Sequence, residues 1–211
     1  FEKDFDYKVF PQGGRVFQYV PVFQYSGPIW IGQLIETYIC NIINGRTGYL
    51  SMRGQETKFY NEDYQNFLVR NVPGRPLVKR AIDYRNSTSK ILLEASFRRA
   101  PSLWYAHQAA ELALDAGWDG TSNLSLYLDK KCRLTNVNGT MAHSFVMSHR
   151  DELEAYNKWN QVFPNSTILI DTYDVENAIN MLIRENIKPA IVRIDSDPLD
   201  EYAFKVREIL D

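Results

Sequence analysis

From residue 90 onward, apolar runs alternate with amphipathic helical patterns, and this alternation constrains the fold more than any other property of the chain. Ile91-Leu92-Leu93-Glu94-Ala95, a short stretch through Trp118, the segment 132–137, Thr167-Ile168-Leu169-Ile170-Asp171 and Ala190-Ile191-Val192-Arg193-Ile194 read as five strands. Helices are expected over 102–116, stopped by Gly117, over 145–163, over the stretch carrying Val175, Ala178, Ile179, Leu182 and Ile183, and over 199–210. Such alternation implies parallel pairing through right-handed crossovers.

Upstream the texture differs. Val9 and Phe10 lead into the turn signal Pro11-Gln12-Gly13-Gly14, and residues 16–20 alternate as a half-buried strand does. After Gly27-Pro28, the positions Ile31, Leu34, Ile35, Tyr38, Ile39 and Ile42 repeat with helical period, predicting a helix over 29–44. Residues 45–90 are polar with basic residues throughout, most simply a solvated surface and alternatively a phosphate-binding patch, with one helix expected near 60–70. This divides the chain into an α+β N-terminal part (1–52), a polar linker or insertion (53–89) and an α/β part (90–211).

Composition narrows the function classes. A hydrophobic content of 45% and a net charge of −2 fit a globular protein and argue against non-specific nucleic-acid binding. No run of about 18 apolar residues marks a membrane span, and no stretch reads as a secretory core, so a cytoplasmic protein is expected. Cys40 and Cys132 lie among apolar residues and read as reduced core positions. With no initial methionine and no closing element after Leu210-Asp211, the chain reads as a fragment or as trimmed at both ends.

Polar clusters follow each expected strand. Arg98 and Arg99 follow the first and Asp119-Gly120-Thr121-Ser122-Asn123 the second. Gly139-Thr140-Met141-Ala142-His143-Ser144 follows the third, Asp171-Thr172-Tyr173-Asp174 the fourth, and Asp195-Ser196-Asp197 the fifth. The carboxyl ends of strands are where α/β sheets and barrels bind ligands. His143 sits in a Gly/Thr/Ser turn at a helix start, a setting suited to anions and to proton or phosphoryl exchange. Arginines supply bidentate phosphate contacts, hydroxyls and turn N–H groups add hydrogen bonds, and the carboxylates suit ribose hydroxyls or Mg²⁺ held through water and a pyrophosphate. No Walker loop and no Gly-x-Gly-x-x-Gly is present. Plainer readings stand beside these. Arg98-Arg99 also fits a surface ion pair, Asp171 and Asp174 also fit helix caps, and Asp197-Pro198 fits a cap followed by proline. His107 reads as structural, and His149 as solvated or packed.

At these residues the chain resembles the nicotinate phosphoribosyltransferase family. The matching segments are Leu93-Glu94 with Phe97-Arg98-Arg99-Ala100, Asp119 to Asn123, Gly139 to Ser144, Asp171 to Asp174 and Arg193-Ile194-Asp195-Ser196, with Gly27-Pro28, 33–37 and 41–44 upstream. The resemblance implies an incomplete TIM-like α/β barrel preceded by part of a small α+β domain. It also implies transfer of phosphoribosyl from phosphoribosyl pyrophosphate to nicotinate, coupled to ATP through a phosphohistidine, with Mg²⁺ and a homodimer sharing its sites. His143 and Asp171 would be catalytic. Arg98, Arg99, Thr121, Ser122, Asn123, Thr140, Ser144, Arg193, Asp195 and Ser196 would bind substrates. Relatives that take nicotinamide carry Asp where this chain has Ser122; an Asp there would repel the carboxylate of nicotinate, so nicotinate is the expected base. A nicotinamide or quinolinate phosphoribosyltransferase, or a non-catalytic ligand-binding relative, are the alternatives. The chain lacks the family's N-terminal Asp-x-Tyr segment, the Gly after Ser196 and the later barrel strands.

Overall fold

The structure, a computed structural model, describes residues 5–11, 15–53, 75–196 and 198–211. The turn at 12–14, the helix expected near 60–70 and the capping role of Asp197 lie outside the described residues. The chain separates into two compact units, Phe1–Asn138 and Gly139–Asp211.

In the first unit β1 (Asp6–Val9) pairs antiparallel with β2 (Phe23–Ser26). No strand forms at 16–20. A turn closes there instead, with the Val20 N–H donating to the Phe17 carbonyl at 3.1 Å and Tyr19 at φ 66°. Helix α1 (Ile29–Arg53) runs well past the expected end, and Leu34, Tyr38 and Ile42 of its apolar stripe stay exposed. Its anchor is polar: the buried Asn41 amide donates to the carbonyls of Phe97 and Ala100 at 2.8 and 2.9 Å. Helix α2 (Arg75–Ser87) occupies part of the polar stretch, where basic and polar residues had masked its periodicity.

Strand β3 shrinks to Leu93–Glu94, paired in parallel with β4 (Gly120–Thr121). Between them α3 (Leu103–Asp115) buries Ala106, Ala109, Ala110 and Ala113. Ser102 caps its first turn, and Gly117 leaves it at φ +87°, a conformation costly for residues with a Cβ. The strand expected over 132–137 is absent. Asn136 closes a 3₁₀ turn (Leu134–Asn136) by accepting from the Arg133 N–H at 3.3 Å and donating to the Asp119 carbonyl at 3.1 Å. Local side-chain bonds thus replace the ladder, leaving an isolated bridge between Thr121 and Val137. This brings the backbone close to Gly120, where a Cβ would stand 2.6 Å from the Asn136 carbonyl oxygen. Helix α4 (Ser125–Leu128) follows β4.

In the second unit the helix expected over 145–163 is two helices, α5 (His143–Met147) and α6 (Glu152–Val162). The break is chemical: Asp151 caps α6 by accepting from the Glu154 N–H at 2.9 Å, and the His149 ring lies 2.7 Å from the Phe145 carbonyl. Strands β5 (Thr167–Leu169) and β6 (Ile191–Arg193) pair in parallel, joined through α7 (Val175–Arg184), and α8 (Leu199–Leu210) follows. Ile168, Leu169, Ile170, Ile179, Leu182, Val146 and Tyr156 form the core. Each such aliphatic side chain contributes about 1.5–3 kcal/mol on burial. Cys40 is exposed and Cys132 half-buried, so neither is the core residue expected.

Candidate functional site

Each parallel strand pair ends in a buried carboxylate. In the second unit this is Asp171, which follows β5 with its side chain 1% exposed. Its Oδ2 accepts from the backbone N–H groups of Asp195 and Ser196, both at 2.6 Å. Asp171 is therefore no helix cap; it fixes the turn after β6. Asp174 is the cap, accepting from the Asn177 N–H at 2.7 Å. Asp171 Oδ1 is buried with no hydrogen-bond partner, and it stands 4.0 Å from His143 Nε2. That is too long for a hydrogen bond but close enough for charge to act.

His143 opens α5, half-exposed, with its ring held from two sides. Nδ1 lies 3.2 Å from Thr172 Oγ1, and Nε2 lies 3.6 Å from Asp195 Oδ2. The other Asp195 oxygen meets Arg193 Nη2 at 2.5 Å, so this carboxylate bridges the arginine and the histidine. Arg193 is held further by Thr140 Oγ1 and by the Met141 carbonyl at 3.4 Å. Ser144 is half-buried in the first turn of α5 and Ser196 is exposed. Beneath this surface Tyr156 donates to Glu152 at 3.0 Å. Burial first, then the Glu152 and Asp171 charges, pushes the Tyr156 hydroxyl far above its usual value, and burial also pushes Glu152 up. The second unit thus gathers His143, Asp171, Arg193, Asp195, Ser196 and Thr140 around one turn. Thr172, which partners the ring nitrogen, escaped sequence reading because it looked like filler between two acids.

The remaining expected residues belong to the first unit. Here the buried carboxylate is Glu94, and both of its oxygens are taken: Oε1 by the Ser96 N–H and hydroxyl at 2.6 and 2.5 Å, Oε2 by Thr121 Oγ1 at 2.7 Å. Thr121 and Asn123 are buried, while Ser122 between them is exposed with its N–H on the Glu94 carbonyl at 2.8 Å. Arg98 pairs with Glu36 at 3.0 Å in an exposed ion pair, and the Arg99 carbonyl accepts from Asn44 at 2.8 Å. Asp119 braces the base of the turn. The Leu92 N–H on its carboxylate, with Arg85 alongside, holds it below the usual carboxylate range. Among the described residues no group of three or more His, Cys, Asp or Glu is arranged to hold a metal, and no helix is long and apolar enough to cross a membrane.

Known proteins share both the sequence and the fold. The chain is 29% identical over 207 residues to the nicotinate phosphoribosyltransferase of Bacillus subtilis, and 28% identical to nicotinate phosphoribosyltransferase pncB2 of Mycobacterium tuberculosis. Each match covers 95% of this chain, but only 36% and 38% of those relatives. The chain therefore spans about a third of the curated relatives it matches. Among solved structures, the nicotinate phosphoribosyltransferase from Vibrio cholerae superposes with a TM-score of 0.60 at 19% identity, covering 97% of this chain and 48% of that one. The human nicotinic acid phosphoribosyltransferase gives 0.50 at 22% identity, with 98% and 46% covered. No family model matches the chain.

Proposed function

We infer, from the chain's kinship with the nicotinate phosphoribosyltransferases, that the protein carrying it makes nicotinate mononucleotide from nicotinate and phosphoribosyl pyrophosphate, with ATP as co-substrate. The observation that carries this reading is the setting of His143. Its Nε2 faces two carboxylates, Asp195 at 3.6 Å and Asp171 at 4.0 Å, and its Nδ1 faces one hydroxyl. Carboxylates favour a proton on the nitrogen they face, so Nε2 keeps its hydrogen and Nδ1 presents the lone pair, to which Thr172 donates. A lone pair on one nitrogen with anions behind the other is the arrangement a histidine nucleophile requires.

In that step the Thr172 hydroxyl turns away from Nδ1, the freed lone pair bonds to the γ-phosphorus of ATP, and the bridging P–O bond breaks as ADP departs. Water later cleaves the P–N bond and releases phosphate. The positive charge the ring acquires is met by Asp171 and Asp195. Arg193, steadied by Thr140 and Asp195, supplies a fixed cation for phosphate oxygens. On this reading Asp195 and Ser196 take the ribose hydroxyls, Ser144 the phosphate oxygens, and Arg98, Arg99 and Ser122 the pyridine base and pyrophosphate. Thr121 and Asn123, expected to bind substrate as well, are buried and turned inward and instead hold the turn behind Ser122. Mg²⁺ usually binds through one or two carboxylates and substrate phosphates. Here Asp171 Oδ1 is buried and Asp195 is engaged by Arg193, so the ion is assigned to the pyrophosphate substrate. The same reading takes the parallel pairs as part of a TIM-like barrel in a cytoplasmic homodimer.

Base choice tests it. Pyrophosphate release by the full-length protein is expected with nicotinate and not with nicotinamide or quinolinate. Ser122→Asp is expected to raise KM for nicotinate by at least about tenfold, since like charges brought together cost several kcal/mol. Equal or better use of nicotinamide by the unaltered protein contradicts the assignment.

A further inference from the structure

We propose that His107 is a positioning residue that clamps the Ser122 turn from behind and thereby sets affinity for the pyridine base; this rests on the reading that Ser122 meets that base. A line of hydrogen bonds runs from Glu94 to His107. Thr121 Oγ1 donates to Glu94 and accepts from the Asn123 N–H at 3.0 Å. Asn123 Oδ1 accepts from both the N–H and the hydroxyl of Ser125, at 3.1 and 2.6 Å. Ser125 Oγ in turn lies 3.0 Å from His107 Nδ1, while His107 Nε2 faces Asp129 at 3.6 Å.

The polarity of this line follows from its ends. The Ser125 backbone N–H can only donate, so the Asn123 atom it meets is the carbonyl oxygen. The single hydroxyl hydrogen of Ser125 therefore points to Asn123, and Ser125 Oγ must accept from His107. His107 Nδ1 carries a proton and donates it. Asp129, 60% exposed and beyond hydrogen-bond reach of Nε2 at 3.6 Å, is screened by water. It does not set the tautomer as buried Asp171 and the Arg193-held Asp195 do at His143. Serine, histidine and aspartate lie in a row, yet the row runs opposite to a nucleophilic triad, where the imidazole accepts from the serine. Ser125 is thus no nucleophile. The line holds the buried flanks of Ser122, Thr121 on one side and Asn123 on the other. With both turned inward, Ser122 between them is the exposed residue of the turn. Asn123 Nδ2, buried without a partner, adds no hold of its own, so the Asn123 side chain is held at its oxygen by Ser125, whose hydroxyl His107 orients, while the Ser122 N–H on the Glu94 carbonyl holds the backbone.

The test uses the full-length protein. His107→Ala is expected to raise KM for nicotinate about tenfold, the scale of one lost hydrogen bond, with kcat kept within about twofold. His107→Asn, whose amide nitrogen replaces the Nδ1 donor, is expected to restore KM. Nitrogen NMR of the unaltered protein is expected to show Nδ1 of His107 protonated, and exchange of the Ser122 and Asn123 amide protons to accelerate in His107→Ala and recover in His107→Asn. An unprotonated Nδ1, an unchanged KM, or a kcat loss that Asn does not rescue overturns the proposal. If the unaltered protein releases no pyrophosphate with any pyridine base, the functional reading fails instead. The clamp is then judged by the Nδ1 protonation and the two amide protons alone.

Discussion

Glu94 and Asp171 invite comparison, because each is a buried acid at the carboxyl end of a short parallel pair. Glu94 has both oxygens saturated by Ser96 and Thr121, and the turn it supports is closed on itself. Asp171 spends one oxygen on the backbone of Asp195 and Ser196 and keeps the other buried, unpartnered and 4.0 Å from an imidazole. An unsatisfied buried carboxylate oxygen is costly, and such costs persist where the group has work outside the fold. The first acid builds a rigid platform. The second holds a charge ready for His143.

Neutralising each acid separates the two roles. Asp171→Asn can keep its oxygen on the two N–H groups, so Tm is expected to hold while its amide faces His143 and removes the charge. The kcat of the full-length protein is then expected to fall on the order of 10²–10⁴-fold, the contribution of a positioned acid–base group. A large Tm loss with kcat retained would make Asp171 a structural acid like Glu94. Glu94→Gln should behave in the opposite way. One of its two ends must offer an amide where Ser96 and Thr121 supply donors, a cost of about 1–3 kcal/mol, seen as a Tm lower by several degrees. An unchanged Tm would show that the turn is not held by this acid.

Glu152 sharpens the picture at smaller scale. Burial raises its carboxyl above the ordinary value, so the folded state takes up a proton that the unfolded chain has released. Stability from this group is present below the ordinary carboxylate range and is lost as pH rises through the raised folded value. Glu152→Gln keeps an acceptor for the Tyr156 hydroxyl and removes the titration. Its Tm is expected to gain on the unaltered protein between acidic and neutral pH; a constant difference across that range would exclude the burial effect.

How much of this was legible in the sequence depends on where the hydrogen bonds go. Helices α7 and α8 and strands β5 and β6 stand close to expectation because hydrophobic periodicity dictates them and their backbone bonds are internal. The strand expected over 132–137 failed because Asn136 satisfies that backbone locally, a side-chain choice that apolar content cannot report. The break between α5 and α6 did have a signal: Asp151 stands three residues before Glu154, the spacing of a helix start, but the apolar period runs through it. In the site, residue types pointed to His143, Asp171, Arg193 and Asp195. Thr172, Glu94 and the His107 line became visible only through donor and acceptor geometry.

The direct measurement concerns the nitrogen of His143. Full-length protein incubated with γ-phosphate-labelled ATP should acquire an acid-labile, base-stable label, lost in His143→Ala along with ATP stimulation of pyrophosphate release while some transfer persists. Label retained in His143→Ala, or ATP coupling unchanged there, would contradict the assignment of His143 as the phosphorylated residue.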